Sequence, residues 1–344
     1  MADFYNITGW AEKNWFQTGG TRNKLIVVNP TNKFDYYFKC SLKKEARDYR
    51  FEFWSEIIAS EVGILLGFDM LKYDIAYNGH EVGCISESMI KENINKLTEG
   101  RQYLTAFSPS YNPELPISKK EYTFQFIENS LKSAGLSQFI NNIVQIIIFD
   151  SIIGNGDRHQ ENWGIITKYS QDSKQTIISI IKRIGLKKAI KFLIDDPVSF
   201  GRRTYFIISK LVKKQNLDSF AKIYDSGSSL GRELSDERIN SMLLEPQLII
   251  SYINRGPSEI HWNSVKCSHF ELINHLQIKY NREVKRVVNR IRKRYNKQLI
   301  IDIVDQVDYN LPEEHNQNRP SECRKNFIIN LLTLRIELLL SKFK

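Results

Sequence analysis

The chain has 344 residues, 42% of them hydrophobic and 26% charged, which is the make-up of a folded globular protein with enough apolar material for a large core and two lobes. Its net charge of +10 is concentrated: residues 168–214 hold twelve Lys and Arg against three Asp, and residues 282–297 hold eight against one Glu. No apolar run reaches the roughly 20 residues of a membrane span, the first residues lack the basic-then-apolar pattern of a secretory signal, and the scattered Cys40, Cys84, Cys267 and Cys323 form no C-x-x-C pair, so a zinc ribbon and a disulfide framework are not indicated. The expected setting is a reducing cytoplasm, with signal-independent export left open.

In chain order, KLIVVNP (24–30) and DYYFKC (35–40) are β-rich runs separated by a turn. Helical spacing follows over residues 45–66, where Phe53, Ile57, Ile58 and Val62 line one side and Gly67 ends the pattern. Residues 71–77 and 82–86 read as strands joined at Asn78-Gly79, a hairpin signal. A polar stretch with prolines runs to Pro116, and helices are predicted over about 118–134 and 137–153. The second, FINNIVQIIIFDSIIG, is apolar nearly all round, so it should be a buried central helix that stops at Gly154. From about residue 235 the pattern is helical to the end. The fold class is therefore α+β, with a β-rich lobe over 1–88 and a helical lobe over 89–344 that includes a basic insertion at about 168–218.

Four short stretches concentrate polar chemistry. TGGTRNK contains Gly19 and Gly20 just before a strand; it is either a plain turn or a loop whose N–H groups approach phosphate oxygens. Lys39 ends the next strand. It either runs its stem along apolar surface or meets anionic phosphates, held by a carboxylate of the following helix, with Glu56 the first choice and Glu61 the second. GNGDRHQENWG follows the buried helix and sets Asp157 five positions before Asn162, the interval of a protein-kinase catalytic loop and also compatible with a polar turn. IYDSGSSLGRE presents Asp225 at what reads as a strand end, an oxygen donor suited to a hard metal ion.

Together, GGTRNK, YYFK, FWSEIIASEVGILLGF, GNGDRHQENWG and YDSGSSLGRE resemble, in order, the motifs of the HipA-like kinase family, in particular its single-domain branch; the resemblance covers about residues 19–231. It implies a two-lobed protein-kinase-like fold and an ATP- and Mg2+-dependent phosphotransferase acting on Ser/Thr hydroxyls of a protein substrate. By motif, Gly19, Gly20 and Thr21 would cover the nucleotide, Lys39 would bind its phosphates with Glu56 positioning it, and the backbone of Glu87, Ser88 and Met89 would hold the adenine. Asp157 would be the catalytic base, Asn162 and Asp225 would bind magnesium, and Arg158 and His159 would support the loop. Family members autophosphorylate a serine of the glycine loop; the hydroxyls here are Thr18 and Thr21. The sequence departs from the family in lacking the toxin's additional N-terminal domain and in the 63 positions from Asn162 to Asp225, where a short hairpin is expected.

Two other functions are compatible with these residues. A phosphoinositide or small-molecule kinase would use the same loop, and a nucleotide-binding toxin-type component would bind without transfer. The basic insertion offers either a solvated surface or a dock for an acidic or phosphate-bearing partner. Nucleic acid is disfavoured at 282–297, because Val284, Val287, Val288 and Ile291 form an apolar stripe that should pack inward. His261, Cys267, His269 and His275 match no standard metal-ligand spacing and read as ordinary helix residues.

Overall fold

The structure, a computed structural model, describes residues 1–13, 24–41, 43–44, 47–168 and 218–343. Thr18, Gly19, Gly20 and Thr21 lie outside the described residues, as do the helices expected between residues 168 and 218. The chain divides into two compact units: Met1–Met89, Glu99–Trp163 and Lys222–Lys344 form the larger, Ile90–Thr98 and Gly164–Ala221 the smaller.

The larger unit begins with strands β1 (Phe4–Asn6), β2 (Ala11–Glu12), β3 (Lys24–Val28) and β4 (Asp35–Cys40). Two-residue strands β5 (Lys43–Lys44) and β6 (Arg47–Asp48) pair with each other, so helix α1 starts at Glu52 and not near residue 45 as the spacing predicts; it spans Glu52–Leu66. Strands β7 (Asp74–Tyr77) and β8 (Val82–Glu87) complete a six-stranded sheet in the order β1-β7-β8-β4-β3-β2. The first pairing is parallel and the others are antiparallel. Strand β7 starts later than residue 71 because that end of the segment is engaged elsewhere, with the Leu71 N–H donating to the Ile223 carbonyl at 2.9 Å. The turn at Asn78-Gly79 is a four-residue loop, with Tyr77 opposite Val82. Asn78 closes it by accepting the N–H groups of His80 and Glu81.

Alternation along β4 decides where Lys39 goes. Phe38, opposite Ile85, joins a core cluster with Ile7, Val27 and Ala76 on one face. Lys39, one residue on, takes the other face.

The predicted helix over 118–134 is two pieces, α2's successors in the chain: α2 spans Gly100–Phe107, α3 Ser118–Glu121 and α4 Phe124–Ser133. The break falls at Thr123, whose hydroxyl caps α4 by accepting the Phe126 N–H at 3.0 Å. A 3-10 turn at Ser137–Phe139 leads into α5 (Ile140–Ile153), which is buried along nearly its whole length as its composition requires. Gly154 stops it in the left-handed region (φ 70°), a conformation that favours glycine. The remaining helices are α6 (Asp236–Leu244), α7 (Pro246–Arg255), α8 (His269–Arg294), α9 (Lys297–Asp305) and α10 (Glu322–Ser341). Helices α8 and α10 pack against α5, and Val284, Val287, Val288 and Ile291 are all in the core.

The smaller unit carries a three-stranded sheet, ordered β11 (Asp218–Phe220), β10 (Gly164–Lys168), β9 (Asn95–Glu99). Strands β10 and β11 pair antiparallel, with Ile165 opposite Phe220 and Thr167 opposite Asp218. The Thr167 hydroxyl donates to the Asp218 carboxylate at 2.7 Å. None of the helices among the described residues is long and apolar enough to cross a membrane.

Candidate active site

Lys39 is only 8% exposed, and a buried ammonium needs anionic partners. It has two. Its Nζ lies 3.2 Å from Glu56 Oε1 and 3.0 Å from Asp225 Oδ1. Burial pulls the Lys39 pKa down, but Asp225 and Glu56 outweigh it and hold the group well above the usual lysine range, so it stays cationic. The Tyr73 ring lies 5.8 Å from the ammonium. Glu61, the second choice from the sequence, faces the chain's N-terminal amine at 3.8 Å.

Glu56 reaches this position from the middle of α1. Its other oxygen accepts the Ser226 N–H at 2.8 Å, so one carboxylate ties the strand lysine to the segment that carries Asp225. Asp225 itself has φ 55°, a left-handed conformation uncommon outside glycine, and its N–H donates to the Tyr73 hydroxyl at 3.3 Å. It follows an isolated parallel bridge at Ile223, not the end of a regular strand.

The loop after α5 is organised by Arg158, 1% exposed. Its Nε and Nη2 donate to the Asp150 carboxylate at 3.0 and 2.8 Å. Nη1 donates to the carbonyls of Asn162 and Tyr224, and Nη2 also reaches the Ser226 hydroxyl at 3.2 Å. Burial raises the Asp150 pKa and the Arg158 cation opposes the rise. The same arginine is thus bonded to the central helix, to the Asn162 end of the loop and to both neighbours of Asp225.

Asn162 Nδ2 donates to the Asp157 carbonyl at 2.9 Å, which commits its amide nitrogen to the loop and leaves Oδ1 as its donor atom toward a cation. The half-buried Asp157 accepts from the Ser228 hydroxyl at 3.1 Å, and its N–H is held by Asn155 Oδ1. His159 Nδ1 accepts the Glu161 N–H at 3.4 Å, a contact inside the loop. Tyr122 donates to the Arg158 carbonyl and accepts from Trp163 Nε1, both at 3.0 Å, and the Tyr224 hydroxyl donates to the Glu161 carbonyl at 2.8 Å.

Of the residues predicted from sequence, Lys39, Glu56 and Asp225 meet directly, and Arg158 joins the Asn162 loop to the Asp225 segment. Glu87 pairs with Tyr36 at the end of β8, and the Ser88 N–H donates to the Asp35 carbonyl at 2.8 Å; Met89 follows them. Sequence reasoning missed Asp150, Tyr73, Ser226 and Ser228. Asp150 did leave a signal: a lone carboxylate in an otherwise apolar helix is costly unless a cation is built to meet it.

The donor set suits a hard divalent cation. Asn162 and Asp225 would offer it oxygen atoms, and among the described residues no group of three His, Cys, Asp or Glu stands together to hold a metal alone. Two protein oxygens completed by phosphate and water is the pattern magnesium takes with a nucleotide. His275 stacks on Trp262 (5.0 Å, 7°), and Cys267 and His269 are buried.

No protein-family model and no curated protein matches the sequence. Among solved structures, the chain is similar to the Helicobacter pylori proinflammatory kinase CtkA, with a TM-score of 0.67 and 16% identity over 98% of this chain and 97% of that one. HipA of Shewanella oneidensis MR-1, in its complex with HipB and operator DNA, matches at a TM-score of 0.45 and 12% identity over 96% of this chain and 66% of that one. The fold is accordingly α+β and kinase-like, a β-sheet lobe with one long helix followed by a large helical lobe.

Proposed function

We propose that the protein is an ATP-dependent phosphotransferase, a HipA-like kinase that transfers the γ-phosphate to Ser/Thr hydroxyls of proteins. The observation that carries this reading is the position of Lys39 Nζ between the carboxylates of Glu56 and Asp225, at 3.2 and 3.0 Å. A strand lysine held by a helix carboxylate beside a metal-binding aspartate is the phosphate-handling arrangement of a kinase. Residues 1–88 form the nucleotide-binding lobe and 89–344 the lobe carrying the loop, with the backbone of Glu87 to Met89 receiving the adenine.

In this reading Lys39 binds the α/β-phosphates, and Glu56 keeps it aimed. Asn162 and Asp225 hold magnesium, which when bound neutralises phosphate charge. Asp157 faces the acceptor hydroxyl and takes its proton as the hydroxyl oxygen bonds to the γ-phosphorus. The bond from that phosphorus to the β–γ bridging oxygen breaks, and ADP leaves. Arg158 and His159 hold the loop through the contacts above.

The test compares wild type with Asp157→Ala, incubated with labelled ATP and separate protein and inositol-lipid pools. The variant is expected to lose transfer by about 100- to 10,000-fold, the range of a general base, while nucleotide affinity is retained. Undiminished transfer would remove Asp157 from the reaction, and label in the lipid pool alone would move the acceptor to the small-molecule class. Mass spectrometry of the products reports whether Thr18 or Thr21 is phosphorylated in cis.

A further inference from the structure

A cavity of about 730 Å3 opens beside Asp157, with Ser228, Gly154 and Gly256 also in its wall. Asp157 is among its lining residues, and Lys39, Glu56 and Asp225 are not. At its edge stands Arg335, from α10, only 1% exposed. A guanidinium carries a permanent charge and five donors, and burying one without a carboxylate is expensive. Arg335 nonetheless makes no ion pair among the described residues. Nη1 donates to the Ser151 carbonyl at 3.0 Å, and Nε has no partner. Burial pushes its pKa down to about 10.

The two glycines keep this group open to the cavity. A Cβ on Gly154 would lie 2.9 Å from Arg335 Nη2, and one on Gly256 would lie 3.0 Å from the same atom. Gly256 has φ −60°, which any residue adopts, so its backbone does not call for glycine; the space beside the guanidinium does. Two further cations, Arg255 and Lys119, are exposed on the rim. Arg232 also lines the wall, but Glu52 already pairs with it. Against these stand two carboxylates, Asp157 and Glu233, and Glu233 accepts from the Tyr252 hydroxyl at 2.8 Å. The surplus is positive, and Arg335 is its buried end.

We infer that this cavity is the acceptor site, and that it takes a protein segment bearing a phosphate or carboxylate group near the reacting hydroxyl, with Arg335 as the anion's anchor and Arg255 and Lys119 as its rim. As an acceptor site this rests on the kinase reading; as an anion site it stands on the cavity and the unmatched guanidinium.

Two experiments test it separately. In the first, inorganic phosphate is titrated into the full chain at constant ionic strength while thermal unfolding is followed. Phosphate should raise the Tm of wild type, as any ligand of the folded state does, and should raise that of Arg335→Met less, the remaining shift belonging to the Lys39 centre. Without phosphate, Arg335→Met should unfold no earlier than wild type, because it removes an unmatched buried charge; a residue kept only for packing would show the opposite. Equal phosphate shifts in the two proteins would overturn the site. In the second, serine peptides flanked by phosphoserine, by glutamate or by neutral residues compete as acceptors. Arg255→Ser should raise KM for the acidic peptides roughly tenfold, the worth of one charge-assisted hydrogen bond, and so narrow their advantage over the neutral peptides. Whichever acidic flank is preferred identifies the anion, and equal use of neutral peptides would overturn the specificity. If no peptide is phosphorylated, the kinase reading fails, and the phosphate titration still decides the anion site.

Discussion

A guanidinium offers five N–H donors, and burial makes each costly to leave unmatched. Arg158 matches all five, with the Asp150 carboxylate taking two, the carbonyls of Asn162 and Tyr224 one each, and the Ser226 hydroxyl the last. The Asp157–Asn162 loop and the Asp225 segment are thereby held to one helix. Asp150 is the anchor, which makes Asp150→Asn an informative change. It nearly preserves shape but removes the only anion on Arg158 among its hydrogen-bond partners. Breaking a buried pair from one side costs about 3–5 kcal/mol, so the unfolding free energy from a denaturant titration should fall by that amount, and transfer should fall with it as the loop loses its tie. A loss under 1 kcal/mol would mean that Arg158 is not the organising residue. The contact between Lys39 and Glu56 was legible in the sequence, where the apolar neighbours Phe53, Ile57 and Ala59 put Glu56 ahead of Glu61. Arg335 was not, because its partners Ser151, Gly154 and Gly256 come from distant parts of the chain and only packing brings them together.

Elements were legible where periodicity was strong and not where local capping intervened. Helix α5 was visible because its apolar residues leave no solvent face, and α8 because its stripe repeats at helical spacing. The break at Thr123 was not visible: the apolar pattern runs through it, and a single side-chain cap decides the boundary. The start of α8 shows the same device with a consequence for pH. Ser268 and Glu271 form a capping box, each satisfying an N–H of the other's backbone. That fixes His269 as the first helical residue, buried, with both ring nitrogens unpartnered among the described residues. Burial and then the nearby Arg335 cation lower its pKa to about 3; the positive end of the helix dipole acts in the same direction. The sign follows from proton counting. Between about pH 6.5 and 3 the unfolded chain protonates this histidine and the folded chain does not, so stability falls as pH falls. One group contributes about 1.4 kcal/mol per pH unit at most. Urea titrations from pH 6 to pH 4 should therefore show a shallower decline in His269→Phe than in wild type, and parallel declines would remove His269 as a source of acid sensitivity.

At the scale of the whole molecule, the long basic segment joins two strands that are already paired with each other. Strands β10 and β11 pair from Ile165–Phe220 to Thr167–Asp218, and the Thr167–Asp218 side-chain bond closes the pairing at the point where the excursion leaves and returns. Between Asn162 and Asp225 strands β10 and β11 make an antiparallel pair, and residues 169–217 of the sequence join their far ends. Loop-closure entropy grows only logarithmically with length, about 0.6 kcal/mol per doubling, so a long insertion at a closed hairpin is tolerated. Every residue proposed for the phosphate centre, from Lys39 to Asp225, lies outside the inserted stretch. Replacing residues 168–217 with a two-residue Asn-Gly turn between the paired Thr167 and Asp218, which suits an antiparallel pair, should therefore leave Tm within a few degrees and keep nucleotide binding. The substitution also removes most of the positive charge of the basic segment. If that segment recruits an acidic partner, KM for a protein acceptor should rise at low salt while short peptides are phosphorylated as before, and the wild-type advantage should shrink as salt screens it. Unchanged kinetics on both acceptors would make the excursion a passive elaboration, and loss of folding would show that the hairpin depends on what it carries.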